Sequence, residues 1–501
     1  MYAINKNMLA HKIDVPANQE SEVPHFYLWL NNEARQGMIS DLRITSPFDG
    51  MLVGTVAMAG RRQIREAIAS SQAAFQKLKS LSRFQRSELL SRVVNLLNDA
   101  RTELVDAMIL EGGKPRMFAE QEFERSLATF IWAAEEAKRF AGEQIPMDGM
   151  ARGEGYEGYT RREPIGVILA ITPFNFPLNL VVHKVAPALA SGNSIILKPA
   201  SNTPITALIL ARIISEAGFP AGSLNAMPMR HQDIPILLQN DAIKMLSFTG
   251  SPEIGWELKQ LSRKQRVTLE LGGNSGTFID ETADLRHAAY QLAIGGFSHA
   301  GQSCISVQRV YVHEHVYETL LEHLIRETRK IKAGNPQEED VITGPLITAK
   351  AAERVLSWIR EAVASGAVIV QGGKRINLAK GQIIEPTILT HVKESMRVCC
   401  KEVFGPVITV SPVINTEAAI NRINQSDYGL QAAIFSNNLK TIQYAVEHLE
   451  VGGVVVNDFP SYRVDHMPYG GSKHSGLGRE GIRSAMLEMT EEKMVVTRLS
   501  I

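Results

Sequence analysis

The sequence predicts an α/β protein: a doubly wound parallel sheet that forms a cofactor domain, a second α/β domain, and a small β excursion used for oligomerisation. Three observations carry this. Across residues 165–273 short apolar strands alternate with helical segments, the pattern of a parallel sheet covered on both faces. A second alternating series follows Gly273. Residues 142–163 interrupt the pattern with glycine and charge, and Tyr156, Gly158 and Thr160 alternate as in an edge strand.

The elements follow in order. Residues 1 to about 45 are polar and read as an irregular arm that leads into a strand and turn at Ile44, Pro47 and Gly50. Over residues 61–141 the spacing of Ile64, Ala67, Ile68, Leu90, Val93, Val94 and Leu97 is helical, so this region is a helical layer. The first alternating series predicts strands at 166–171, 194–197, 244–248 and 267–271, with helices at 181–190, 205–217 and 252–261. The second predicts strands at 307–312, 368–370, 407–410, 432–435 and 453–456, and helices at 285–295, 316–331, 349–364, 417–424 and 440–448. The excursion at 142–163 cannot bury itself alone and needs another subunit, together with a C-terminal strand at 494–499. The boundaries expected are 1–141 with 162–271 for the cofactor domain, joined by 466–485; 272–465 for the second domain; and 142–161 with 486–501 for oligomerisation.

At 501 residues the chain exceeds what one core supports. Lys+Arg and Asp+Glu both number 53, so no net field draws it to nucleic acid or to an anionic membrane. Three cysteines, Cys304, Cys399 and Cys400, make no disulfide framework, which suits a reducing, cytoplasmic location. No signal peptide and no membrane span are expected. His313, Glu314 and His315 sit on a strand-to-helix loop and read as solvated surface, so no metal is expected.

The chemistry centres on residues 300–306, where Cys304 follows a helical segment among small, polar residues. Such neighbours leave a thiol reachable and leave backbone N–H groups free for an oxyanion, as nucleophilic attack on a carbonyl requires. A free cysteine is also a common small core residue. A carboxylate stretch (Glu270, Leu271, Gly272, Gly273, Asn274) and a polar turn (Thr172, Pro173, Phe174, Asn175, Phe176, Pro177) raise the catalytic reading.

Phe248, Thr249, Gly250 and Ser251 close a strand and open a helix, with Ser251 at the N-cap and Pro252 at the first helical position. The exposed N–H groups of that helix suit a pyrophosphate. Lys198 closes another strand on the same sheet edge, with Pro199, Ala200 and Ser201 after it; a lysine at a strand end is often only solvated, but this position puts a cationic head within reach of an adenosine ribose. The G-x-G-x-x-G at Gly476, Gly478 and Gly481 follows no buried strand and is discounted.

Taken together, these motifs resemble the aldehyde dehydrogenase superfamily over nearly the whole chain. They occur in the family's order: residues 172–177, 198–200, 248–251, 270–274, 301–304, 402–406 and 468–471. The resemblance implies NAD- or NADP-dependent oxidation of an aldehyde to a carboxylate. It implies that Cys304 attacks the carbonyl, that the Asn175 amide and the Cys304 N–H hold the oxyanion, and that Glu270 activates water. Lys184 assists proton movement or serves as an ion-pair partner. Thr172, Pro173, Phe174, Lys198, Ala200, Ser201, Phe248, Gly250, Ser251, Leu271, Gly272, Glu402 and Phe404 would line the cofactor site, with Glu402 on the nicotinamide ribose.

Two departures from the family pattern bear on the cofactor. Ser201 stands where NAD-preferring members often carry Glu, and residues 227–230 lack a common glycine, with Arg230 either near a 2′-phosphate or on the surface.

For the substrate, Arg125, Phe176, His183, Ser303 and Arg463 match positions around the mouth of the site. The branch resembled is that acting on lactaldehyde or a similar small hydroxyaldehyde, with relatives acting on glyceraldehyde 3-phosphate or phosphonoacetaldehyde; succinic semialdehyde is a further alternative. Arg125 and Arg463 either form a fork for an anion or pair with structural acids, Arg125 with Glu122 for instance. An acylating enzyme would not be expected to keep Glu270, and a non-catalytic relative would tolerate the loss of Cys304, Glu270 or Asn175. A homodimer or homotetramer is expected.

Overall fold

A computed structural model describes residues 23–378 and 381–499. Its centre is an eight-stranded sheet. In spatial order the strands are Gly476–Leu477, Arg266–Glu270, Ile243–Thr249, Val167–Ile171, Ser194–Lys198, Leu224–Ala226, Leu28–Leu30 and Glu33–Arg35. The five from Arg266–Glu270 to Leu224–Ala226 run parallel. Alternation of side chains explains why they are apolar throughout. Ile168, Ala170, Ile195 and Leu197 enter one core, whereas Val167, Leu169, Ile171 and Ile196 enter the core on the opposite face.

The helix Asn179–Ser191 is buried at every position, wedged between the sheet and the helices Arg83–Asp99, Arg116–Arg139 and Ile482–Glu488. Its start is fixed by a carboxylate: Glu122 Oε1 accepts from the Leu178 and Asn179 N–H groups, both at 2.9 Å. A helix N-terminus leaves these donors unpaired, and here a buried acid satisfies them.

The second sheet has seven strands, in spatial order Val368–Gln371, Thr387–Thr390, Val407–Val413, Arg309–His313, Gly276–Ile279, Gln431–Phe435 and Gly453–Val456. All pairings but the first are parallel. A third sheet joins Thr490–Arg498, Tyr156–Pro164 and Gln144–Ile145. Its two long strands pair antiparallel over nine residues.

Several expectations need correction. Residues 23–45 are not an irregular arm: Leu28–Leu30 and Glu33–Arg35 extend the main sheet through a turn in which Asn31 and Asn32 adopt φ of 57° and 62°. The part of the expected arm before residue 23 lies outside the described residues. The excursion at 142–163 pairs with the C-terminal strand as expected, but that strand begins earlier, at Thr490 instead of 494. Sequence periodicity also missed the strands Leu224–Ala226, Gly276–Ile279 and Thr387–Thr390 and the helix Ile482–Glu488, all of seven residues or fewer. Windows that short carry almost no periodic signal. Among the described residues no helix is long and apolar enough to cross a membrane.

Candidate active site

Strand register brings the site together. Ile171 lies opposite Lys198 and opposite Phe248, and Thr249 opposite Glu270. Four parallel strands therefore end level, and the segments after them open on one sheet edge, where parallel α/β sheets bind ligands. Between that edge and the second sheet lies a cavity of about 820 Å³.

The predicted cofactor residues Thr172, Pro173, Phe174, Lys198, Ala200, Ser201, Phe248, Gly250, Ser251, Leu271, Gly272, Glu402 and Phe404 all line it. The Ser251 side chain accepts from the Ile254 N–H at 3.5 Å, and Pro252 opens the helix. Gly255 lets that helix approach the sheet edge, since a Cβ there would lie 2.4 Å from Leu271 Cδ2. Burial pushes the Lys198 ammonium down to about 8, so a neighbouring anion would favour its charged form. Glu402 is seated against Gly272, where a Cβ would meet its Oε2 at 2.4 Å, and it accepts from the Gly273 N–H at 3.0 Å. Burial raises its carboxyl to about 7, an effect that this hydrogen bond opposes. Free helix N–H groups, a buried lysine and a buried carboxylate are a donor and acceptor set that fits a dinucleotide.

His231, Arg354, Trp358, Arg397, Lys401 and Tyr428 also line the cavity, and sequence reading singled out none of them. Most come from the far side, and only tertiary folding brings them in. Arg230 is exposed and does not line the cavity.

Cys304, Glu270 and Asn175 line the inner part of the same cavity. The turn before the cysteine is constrained: His299, Ala300 and Gly301 all have positive φ, at 49°, 56° and 66°. Left-handed conformations cost non-glycine residues about 1–3 kcal/mol each and persist only where packing imposes them. The Asn175 Nδ2 donates to the Gln302 carbonyl at 2.9 Å, which holds the amide against the cysteine turn and leaves its second N–H unused.

The Cys304 Sγ lies 3.2 Å from the Tyr469 hydroxyl. Burial pushes the thiol up to about 12, opposed by that hydrogen bond and by the more distant Arg463. Glu270 ends its strand with both carboxylate oxygens buried and without a protein partner. Burial and the nearby Glu480 charge raise it well above the usual carboxylate range, against Arg463, Lys184 and Arg479.

Lys184 lies one layer behind, donating to Glu480 Oε1 at 2.7 Å and to Ser247 Oγ at 3.0 Å. Burial would raise Glu480, but the charges of Lys184, His183 and Arg463 prevail and hold it down to about 2.

The five predicted substrate residues do not line the large cavity. Three of them gather round Asp465. Arg125 pairs with its carboxylate through two contacts, so the expected Arg125–Glu122 pairing is not formed. Glu122 is instead paired with Lys114. His183 Nε2 lies 2.8 Å from Asp465 Oδ1. Arg463 packs beside His183 and over the Tyr469 ring, its Nε buried without a partner. Phe176 lies beneath Lys114, whose Nζ is 3.8 Å from the ring centroid. Ser303 borders a separate small cavity beside Gly273 and Phe404.

Outside the site, His313 and His315 gather with Glu281, and His315 Nδ1 lies 2.8 Å from its Oε2. The sequence reading named the histidines and not the glutamate.

The chain is similar to known proteins over nearly its whole length. The model for the aldehyde dehydrogenase family matches residues 34–495. A 3-sulfolactaldehyde dehydrogenase of Priestia aryabhattai is 41% identical over 480 residues, 96% of this chain and 99% of that protein. A lactaldehyde dehydrogenase of Methanococcus aeolicus is 35% identical over 474 residues, 93% of this chain and 98% of that protein. Among solved structures, an aldehyde dehydrogenase from Physcomitrella patens in complex with its reaction product succinate superposes with a TM-score of 0.92. It is 38% identical and covers 96% of this chain and 99% of its own.

Proposed function

Since this chain belongs to the aldehyde dehydrogenase family, we propose that it oxidises a small hydroxyaldehyde of the lactaldehyde class to its carboxylate. It is an oxidoreductase, and its cofactor is NAD or NADP. One observation carries the hydrolytic reading: Cys304 and a carboxylate with both oxygens unpartnered, Glu270, face the same cavity.

The Cys304 thiolate adds to the aldehyde carbon, and the carbonyl oxygen takes up the negative charge. The free N–H of Asn175 Nδ2 donates to that oxygen. When bound, the nicotinamide supplies the acceptor for the hydride that leaves this carbon, and a thioester on Cys304 results. Glu270 then takes a proton from water as the water oxygen bonds to the acyl carbon and the C–S bond breaks. Lys184 and Glu480 form a buried ion pair behind Glu270. They act on Glu270 by charge and in opposite directions, Glu480 raising its carboxyl and Lys184 lowering it. Lys198, the helix beginning at Pro252, and Glu402 would hold the cofactor.

The group around Asp465 favours a polar substrate. His183 and Arg125 contact this buried carboxylate and Arg463 lies beside His183, paired with Glu480, so a substrate group that reaches this cluster meets charge and hydrogen-bonding atoms instead of alkyl surface. A second reading, an aldehyde with an anionic tail such as 3-sulfolactaldehyde, is favoured by the unpartnered Arg463 Nε. The exposed Tyr159, Met494 and Val496 of the third sheet suit a homodimer or homotetramer that covers them. Three free cysteines fit a reducing cytoplasm.

The test is initial rates of NAD and NADP reduction with lactaldehyde, 3-sulfolactaldehyde, glyceraldehyde 3-phosphate, phosphonoacetaldehyde, succinic semialdehyde and propanal, with Cys304→Ala as control. The highest kcat/KM with lactaldehyde supports the first reading, and a sulfonate or phosphate preference of tenfold or more supports the second. Cys304-independent reduction would overturn both.

A further inference from the structure

Tyr469 has no assigned part in the site described above. Its hydroxyl is enclosed, since the residue is only 4% exposed, yet its single hydrogen-bond contact among the described residues is the Cys304 sulfur at 3.2 Å. A buried tyrosine hydroxyl normally finds a partner, and the partner here is the reacting atom.

The ring is rigidly seated. The Tyr469 and Glu480 backbones exchange N–H···O bonds of 3.0 and 2.7 Å, and the ring packs with Ile305 and Leu430. The Arg463 guanidinium stands 3.8 Å from the ring centroid. A cation over the ring draws electron density from it and makes the phenol a better donor.

We propose that Tyr469 is a catalytic hydrogen-bond donor to the Cys304 thiolate, strengthened by the Arg463 guanidinium stacked on its ring. The direction follows from proton count. A thiol can donate to the phenol oxygen, but a thiolate has no proton, so in the reactive state the hydroxyl donates and the bond becomes charge-assisted. The bond is stronger to the thiolate than to the thiol, and the difference favours ionisation. As the sulfur bonds to the carbonyl carbon its charge moves to the oxygen, and the hydroxyl releases what it held.

Besides the neutral Tyr469 hydroxyl, the groups acting on the sulfur are Glu270 and Glu402, which disfavour the thiolate, and Arg463, which favours it. Of these four, Tyr469 alone touches the sulfur through a hydrogen bond. Burial and the neighbouring thiol hold the Tyr469 hydroxyl well above its ordinary range, so it keeps its proton while the thiol ionises.

The inference rests on Cys304 being the nucleophile, and the experiment separates the two. The rate of iodoacetamide alkylation is followed against pH, with no cofactor present, by mass spectrometry of the Cys304 peptide. In this reaction the thiolate sulfur bonds to the methylene carbon and iodide leaves. Tyr469→Phe keeps the ring, its packing and the cation over it, and removes only the hydroxyl. We expect its alkylation midpoint to move up by about one pH unit, so that the rate at pH 7.5 falls about tenfold. Replacement of Tyr469 by 3-fluorotyrosine, a stronger donor, moves the midpoint down, which no packing defect would do. A midpoint unchanged in both proteins overturns the proposal. Alkylation of Cys304 that leaves turnover intact would instead overturn the nucleophile assignment while the midpoints still report on the hydrogen bond.

Discussion

Arg125 and Asp465, 340 positions apart in the chain, form a two-point ion pair: Nε to Oδ2 at 3.1 Å and Nη2 to Oδ1 at 2.8 Å. The same carboxylate receives the Asn179 amide at 3.0 Å and lies 2.8 Å from His183 Nε2. An arginine so engaged is a support for the site wall and not a free anion receptor. Arg125→Ala is therefore expected to lower stability by about 2 kcal/mol, the partly exposed arginine moderating the loss of a buried pair. It should raise KM for neutral and anionic aldehydes alike, read from urea midpoints and parallel kinetics. An effect confined to anionic substrates would make Arg125 a direct ligand.

Asp465 also gives a pH signature. Burial opposes its ionisation, but the His183 hydrogen bond and the Arg125 charge prevail and hold the carboxyl well below its ordinary range. A depressed folded value gives stability that is present above the unfolded carboxylate value and is lost as pH falls through the folded one. Asp465→Asn should then destabilise at pH 7, and the difference from the parent should shrink in acid. Melting temperatures from pH 7 down through the ordinary carboxylate value of 3.8 to about pH 1.5 measure it.

Glu270 carries the opposite sign. Its folded carboxyl is raised chiefly by burial, so what it contributes to stability is present below the ordinary value of 4.5 and is lost as pH rises through the raised one. Glu270→Gln should be more stable than the parent, by a margin that grows from pH 4.5 up to the raised value and is constant above it. Its steady-state turnover should fall about 10²-fold or more while a first burst of reduced nicotinamide remains, because only thioester hydrolysis needs the base. Loss of the burst with the turnover would place Glu270 in the first step.

Asn175 tests the oxyanion. Asn175→Ala keeps the backbone of the turn and removes the Nδ2 donor, so kcat should drop about 10²–10³-fold. A drop below tenfold would mean that the amide only braces Gln302, the contact it makes at 2.9 Å.

Cofactor choice is expected to turn on Ser201, exposed at the mouth of the cavity beside the buried Lys198. Ser201→Glu adds a carboxylate where a 2′-phosphate would lie. It should weaken NADP binding about tenfold or more and leave NAD little changed, by fluorescence titration of the reduced cofactors. Equal effects on both would place position 201 away from the ribose.

Much of this was legible from one dimension, where the chemistry is local. Strand, turn and helix start at Phe248–Pro252 need only a few neighbours, and periodicity finds them. The short strands at Leu224–Ala226 and Leu28–Leu30 were hidden because three residues carry no period. For Arg125 the sequence leaves an anion fork and a structural ion pair both open, and the acid it offers for the pair is Glu122, within one turn of the same helix, because sequence reveals only near neighbours. Its true partner arrives from position 465.

The sequence by itself determined the alternation of apolar strands and helices, the ordered motifs around Asn175, Glu270 and Cys304, and so the family and its chemistry, since each is written within a few consecutive residues. Tertiary structure alone decided that Glu480 backs Lys184, that Asp465 occupies Arg125 and His183, and that the hydroxyl of Tyr469 reaches the Cys304 sulfur. Those pairings depend on desolvation and on distances of about 3 Å between segments far apart in the chain, and both are set only when two sheets and their helices pack against each other.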